Sequence, residues 1–200
     1  MDLEARGVEA HRREAQGEGV MEAIEKDLER EASRLGLRLR ASFAPGDFPV
    51  RPPVLPSFFH RIGGTVRMPE FFLSTLMWDE LRCAFLHEAA HVKLRHLPKD
   101  LAFASALLLP ALALSRGSAL LFVPAVFAVG LLALAFHRRF ELEADRFAAR
   151  MVSRRAMIRL LQKLGERCGE GGGLLGISHP SIRERIRNLM APGEKGGGRA

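Results

Sequence analysis

Apolar positions change their spacing several times along the chain, and each change predicts an element. Residues 1–19 are polar, interrupted by glycine and mixed in charge, and are expected to be flexible. Val20, Ile24, Leu28 and Leu35 then recur on one side among Glu, Lys and Arg, which predicts an amphipathic helix that Gly36 is placed to end. LRLRASF at 37–43 alternates with period two, as a half-buried strand does. Five prolines at 45, 49, 52, 53 and 56 make residues 44–57 an extended connector. Residues 58–68 carry a second and third strand, with Gly63-Gly64 as the turn or a point of close backbone approach. Pro69 suits the first position of a helix, so 69–77 and 79–96 read as two consecutive helical pieces.

The sharpest shift follows. Residues 101–114 contain no charge, Ser115-Arg116-Gly117-Ser118 interrupts, and 119–136 are again uncharged. Two apolar runs joined by a short polar turn predict a helical hairpin. The second run reaches the length of a membrane span, and the first does so by borrowing Leu97 and Pro98 or where the bilayer thins. Pro110 and Pro124 are costly in soluble helices but tolerated in membrane ones. Lys93, Arg95 and Lys99 precede the hairpin and Arg138 and Arg139 follow it, while the turn carries only Arg116, so both open ends are expected on the cytoplasmic side. A hairpin buried in a soluble core is the competing reading, and a chain this size has little protein with which to cover it. An amphipathic helix resumes at FELEADRFAARMV, another covers 154–166, a glycine-rich loop spans 169–173, and a last helix runs from near His179-Pro180-Ser181 to Met190. The fold class is mainly α with a small β-sheet (α+β). One domain spans 20–190, residues 98–136 form an inserted transmembrane hairpin, and residues 191–200 form a disordered tail.

Composition narrows the function classes. The formal charge is +7 and tyrosine is absent, yet the basic residues are mixed with acids or flank the apolar runs, a pattern unlike a nucleic-acid surface. Cys83 and Cys168 are too few and too far apart for a disulfide framework or a cysteine metal site. Residues 1–35 show no secretory signal.

Chemistry enters at His87-Glu88-Ala89-Ala90-His91, inside the helical window LRCAFLHEAAHVKLRH. Residues four apart share a helix face, so His87 and His91 can aim two imidazoles at one atom, with Glu88 beside them. Zinc takes neutral imidazoles plus a third protein ligand and keeps an open corner for water, whose pKa falls to about 7; a neighbouring carboxylate then takes the proton. An amphipathic helix with two satisfied histidines is the plainer reading. For the third ligand, Glu141 and Asp145 share one face of the later helix, and an even number of crossings returns that helix to the side of the histidines. Glu141 suits the ligand role and Asp145 suits the free N–H of a ligand imidazole, with Glu143 rotated away toward solvent or a salt bridge. An acidic patch balanced by Arg138, Arg139 and Arg146 is the alternative.

Together, HEAAH at 87–91, ELEADRFAA at 141–149 and SHPSIRERI at 178–186 resemble the HtpX-like and CAAX-prenyl-protease group of integral-membrane gluzincin metallopeptidases, over about residues 60 to 190. The resemblance implies a gluzincin-type domain with one zinc per chain on His87, His91 and Glu141, Glu88 as general base, and Asp145 outside the ligands. His179 of the H-P motif becomes a candidate stabiliser of the oxyanion, a role suited to an imidazole donor. Arg185, on the same final helix, can pair with Asp145 or Glu141. The strand at 63–68 is expected to offer an edge to an extended substrate. N-terminal membrane helices and an upstream asparagine segment, usual in the HtpX branch, are not seen, and LPSFFHRIGG stands in the place of the latter. The large chamber of the prenyl-protease branch does not fit in this length, so CAAX processing is not expected.

The expectation is a membrane-anchored zinc endopeptidase in the cell membrane, its catalytic domain facing the cytoplasm. Its partners would be polypeptide substrates and the lipid around 98–136, with no nucleic acid. A regulatory membrane protein that cleaves only itself or one signalling partner, and a non-catalytic metal-stabilised module, are the alternatives.

Overall fold

The computed structural model describes residues 19–44, 60–62, 64–114, 118–168 and 180–191. Residues 1–18, most of the proline-rich segment, residues 115–117, the glycine-rich segment, His179 and the residues from 192 lie outside the described residues, and so do the expectations placed on them. The described residues divide after Thr75 into two compact units.

The first unit carries helix α1 (19–34), strands β1 (Arg40–Ala44), β2 (His60–Ile62) and β3 (Thr65–Pro69), and the short helix α2 (Phe71–Thr75). Gly36, at φ 72°, closes α1: its N–H donates to Ser33 O and that of Leu37 to Ala32 O. This paired C-terminal cap needs a left-handed residue, which glycine adopts without strain. It also explains why the first strand starts later than the alternation suggests, since Leu37 is still bonded to the helix end. The sheet order is β1-β3-β2, with β1 parallel and β2 antiparallel to β3. Ala41, Phe43, Val66 and Met68 are buried at alternate positions, together with Leu28 and Ala32 of α1. The outward amides of edge strand β1 are not left to water. Phe43 N donates to Glu25 Oε1 at 2.9 Å and Ala41 N to Glu29 Oε1 at 3.2 Å, so two glutamates of α1 act as the missing neighbour strand. The edge expected at 63–68 is absent over Thr65–Arg67, because β3 is the central strand and is paired on both sides there.

The second unit is helical: α3 (Trp78–Lys93), α4 (His96–Leu114), α5 (Ala119–Met151), α6 (Arg154–Cys168) and α7 (Ile182–Met190). The described residues are thus mostly helical with one small sheet, an α+β arrangement. Helix α3 packs against α5 and α6. The buried set includes Leu81, Phe85 and Leu86 of α3, Ala144 and Ala148 of α5, and Met157, Leu160 and Leu161 of α6. Glu80, fully buried, fixes the start of α3: its carboxylate accepts from Met77 N at 2.9 Å, Arg159 Nε at 2.9 Å and Lys163 Nζ at 2.6 Å. The helix stops at Lys93, short of the expected His96. Arg95 takes a left-handed φ of 56°, and His96 begins α4 instead.

Helix α4 runs beside α5, with Phe103 and Phe136 stacked at 4.1 Å. Among the described residues, none from 97 to 139 is buried, so those residues form no soluble core around the hairpin. Among the described residues, only α5 is long and apolar enough to cross a membrane, over Leu120–Met151.

Burial alone would raise the Glu80 carboxyl pKa, but its contacts with Lys163, Met77 N–H and Arg159 outweigh this and hold it below the ordinary 4.5. A depressed carboxyl pKa adds stability that is present above the unfolded value and lost as pH falls through the folded one. Glu80→Gln is therefore expected to lower stability by about 1–3 kcal/mol at neutral pH. The deficit should shrink as pH falls below 4.5, as read by denaturant unfolding.

Candidate metal centre

The i, i+4 spacing on α3 places His87 and His91 with ring centroids 5.0 Å apart and their Nε2 atoms 3.4 Å apart. Helix α5 brings Glu141 between them, with Oε1 3.3 Å from His91 Nε2 and Oε2 3.6 Å from His87 Nε2. One donor atom from each of the three lies within 4.8 Å of the others. Tetrahedral zinc with bonds of about 2.0–2.1 Å needs donors about 3.3–3.4 Å apart, which the His87–His91 and His91–Glu141 separations match, and two nitrogens with one oxygen is a donor set that suits that ion. His87 and Glu141 are buried, and His91 is partly so.

The surroundings hold these groups in place. Asp145, one turn beyond Glu141, is fully buried, and its Oδ1 lies 2.9 Å from His87 Nδ1. The contact is close but poorly directed, so it acts more as charge attraction than as a linear hydrogen bond. Arg185 clamps the same carboxylate from α7, with Nε at 2.7 Å from Oδ2 and Nη2 at 2.5 Å from Oδ1. Of the two carboxylates expected for Arg185, the structure selects Asp145. Helix α7 is set for this by the Ser181 cap, whose Oγ accepts from Glu184 N at 3.2 Å, by the Arg138–Glu184 ion pair, and by Gly165, where an added Cβ would come within 3.4 Å of Ile182.

Glu88 sits beside the histidines. Burial raises its carboxyl pKa above the ordinary 4.5, opposed by His87 and His91. Such a rise suits a general base working near neutral pH, although a cation at the centre would pull it back down. His87 is pulled down by burial, yet its contacts with Asp145 and Glu141 prevail and raise it to about 10.

Three residues near the centre were not picked out as site residues from the sequence. His96 is buried, with Nδ1 3.0 Å from His91 Nδ1 and Nε2 3.2 Å from Glu143 Oε2. Glu143, whose place on α5 predicts solvent or a salt bridge, is half-exposed and meets His96. His137 bonds Asp100 Oδ2 at 3.1 Å and places Nε2 3.9 Å from Glu141 Oε1. Helical periodicity places His96 at the end of α3, pointing on along the helix; the left-handed turn at Arg95 instead brings it back beside His91. His137 carried a signal, since it lies four residues before Glu141 on the same helix.

Two histidines and a carboxylate around one point, with a glutamate next to the first histidine, is the donor pattern of a metallopeptidase. The model of Peptidase family M48 matches residues 23–192, and the chain belongs to that family of metallopeptidases. No curated protein and no solved structure gives a significant match.

Asp145 and Glu141 favour the protonated form of His87 in the metal-free protein, so a metal entering there is expected to displace that proton. Apparent zinc affinity is expected to rise about tenfold per pH unit over about pH 6–8, with one proton released per zinc in weakly buffered solution. Glu141→Ala should reduce the metal content per chain to near zero, whereas Asp145→Ala should retain a site weakened by about 10–100-fold. The reverse pattern would exchange the two assignments.

Proposed function

We propose that this M48 peptidase is a membrane-anchored zinc endopeptidase of the HtpX-like kind, acting on membrane or membrane-adjacent polypeptides from the cytoplasmic side. The observation that carries the reading is the convergence of His87, His91 and Glu141 donor atoms within 4.8 Å, with Glu88 on the adjoining position of α3. His87, His91 and Glu141 would hold the ion. Zinc held there would supply a Lewis acid for the scissile carbonyl and would lower the pKa of a bound water. Glu88 accepts the proton of the attacking water and hands it to the leaving amine. Asp145, pinned by Arg185, keeps His87 turned toward the centre. His179 is assigned to the oxyanion, as the resemblance implies.

The membrane part rests on the hairpin. Leu120, Leu121, Val123, Phe127 and Leu132 of α5 are exposed, as are Leu101 and Leu109 of α4. Apolar surface of this extent requires cover, and lipid is the cover that matches an 18-residue uncharged run. In this reading 98–136 is the inserted hairpin of a peptidase domain spanning 20–190. The cations Lys93, Arg95, Lys99 and Arg139 at its open end keep that end at the cytoplasmic face.

Cleavage of an unfolded polypeptide in detergent should fall by about 10²–10⁴-fold in Glu88→Gln at unchanged zinc content. Equal rates in the two proteins would remove the enzymatic reading. The intact chain should partition into the detergent phase, and recovery in the aqueous phase would remove the membrane reading while leaving the peptidase one.

A further inference from the structure

The two histidines of the centre are supported differently. His87 rests on a carboxylate, Asp145, whereas His91 meets another imidazole, that of His96. This second arrangement is built at some cost. Arg95 adopts a left-handed φ of 56°, which side chains other than glycine and asparagine rarely take, and the reversal swings His96 back beside His91. The imidazole is 2 % exposed and stacks on Phe140, centroids 4.4 Å apart and planes inclined by 11°. Both of its ring nitrogens have partners: His91 Nδ1 at 3.0 Å and Glu143 Oε2 at 3.2 Å.

Proton positions along this line follow from the chemistry of imidazole. His91 presents Nε2 to the centre, so that nitrogen must carry a lone pair and Nδ1 the proton. His91 Nδ1–H then donates to His96 Nδ1, which must accept. His96 carries its proton on Nε2 and donates it to the Glu143 carboxylate, which can only accept. With both imidazoles neutral, this is the one assignment that leaves His91 free to bind a cation.

We propose that His96 and Glu143 are positioning residues, a hydrogen-bond chain that sets the tautomer and ring orientation of His91 for metal binding. The inference rests on the metal reading proposed above and is tested separately from it. Zinc dissociation constants are measured by chelator competition on the full-length protein in detergent for wild type, His91→Ala, His96→Phe, His96→Gln and Glu143→Ala. His96→Phe keeps an aromatic ring for the stack on Phe140 and removes the acceptor, and it should weaken zinc binding by about 10–100-fold. His96→Gln, whose amide oxygen can accept from His91 and whose NH₂ can donate to Glu143, should recover most of the loss. Glu143→Ala should weaken binding in the same direction but less.

In ¹⁵N spectra of the zinc-loaded wild type, His91 should carry its proton on Nδ1 and His96 on Nε2. Wild-type affinity in His96→Phe, alongside lost affinity in His91→Ala, would overturn the chain, and so would a proton on His96 Nδ1. Failure of His96→Gln to improve on His96→Phe would reduce His96 to a packing residue and also overturn it. If His96→Phe does not fold, Glu143→Ala decides, because that side chain is 46 % exposed and unchanged affinity there would overturn the proposal. Absence of zinc binding in wild type would overturn the metal reading itself, and this inference with it.

Discussion

Asp145 is the joint on which the second unit depends. A carboxylate withdrawn completely from water is tolerated only if its charge is met, and here it is met from two directions. Arg185 reaches it from α7 through two hydrogen bonds, and His87 approaches from α3. Three helices far apart in the chain therefore converge on one buried charge. Loss of Arg185 would leave Asp145 with only the poorly directed contact to His87, which links the folding of the unit to the geometry of its centre.

Helix α5 connects the two characters of the protein. It is continuous from Ala119 to Met151, a rod of about 50 Å at 1.5 Å per residue. Its first half is apolar, with no buried residue among those described, and its second half carries Glu141, Glu143 and Asp145. A rigid element that joins exposed apolar surface to the donor groups holds the centre at a set distance from whatever covers that surface. The His137–Asp100 contact ties α4 to the same helix where its character changes.

Much of this was legible because it is local. The period of Val20, Ile24 and Leu28 marks α1, the glycines at 36 and 64 mark its cap and the β2–β3 turn, and a charge-free run marks α5. HEAAH places two imidazoles on one face whatever surrounds the helix, because the 3.6-residue repeat is a property of the backbone. Glu141 and Asp145 were open to the same argument. The sheet was less so: that the third strand lies at its middle, with glutamates of α1 closing the edge of the first, depends on pairing between distant segments.

The sequence by itself determined which residues share a helix face, where the chain is apolar enough to need cover other than water, and which side chains have the chemistry to bind a metal. These follow from helix periodicity, hydropathy and ionisation, which act over a few residues. Only the tertiary structure decided that Glu141 faces both imidazoles, that Arg185 takes Asp145, and that His96 turns back onto His91. Each of those results requires two helices to approach at one particular rotation, or a single backbone torsion to change sign at Arg95, and no repeat in the sequence encodes either.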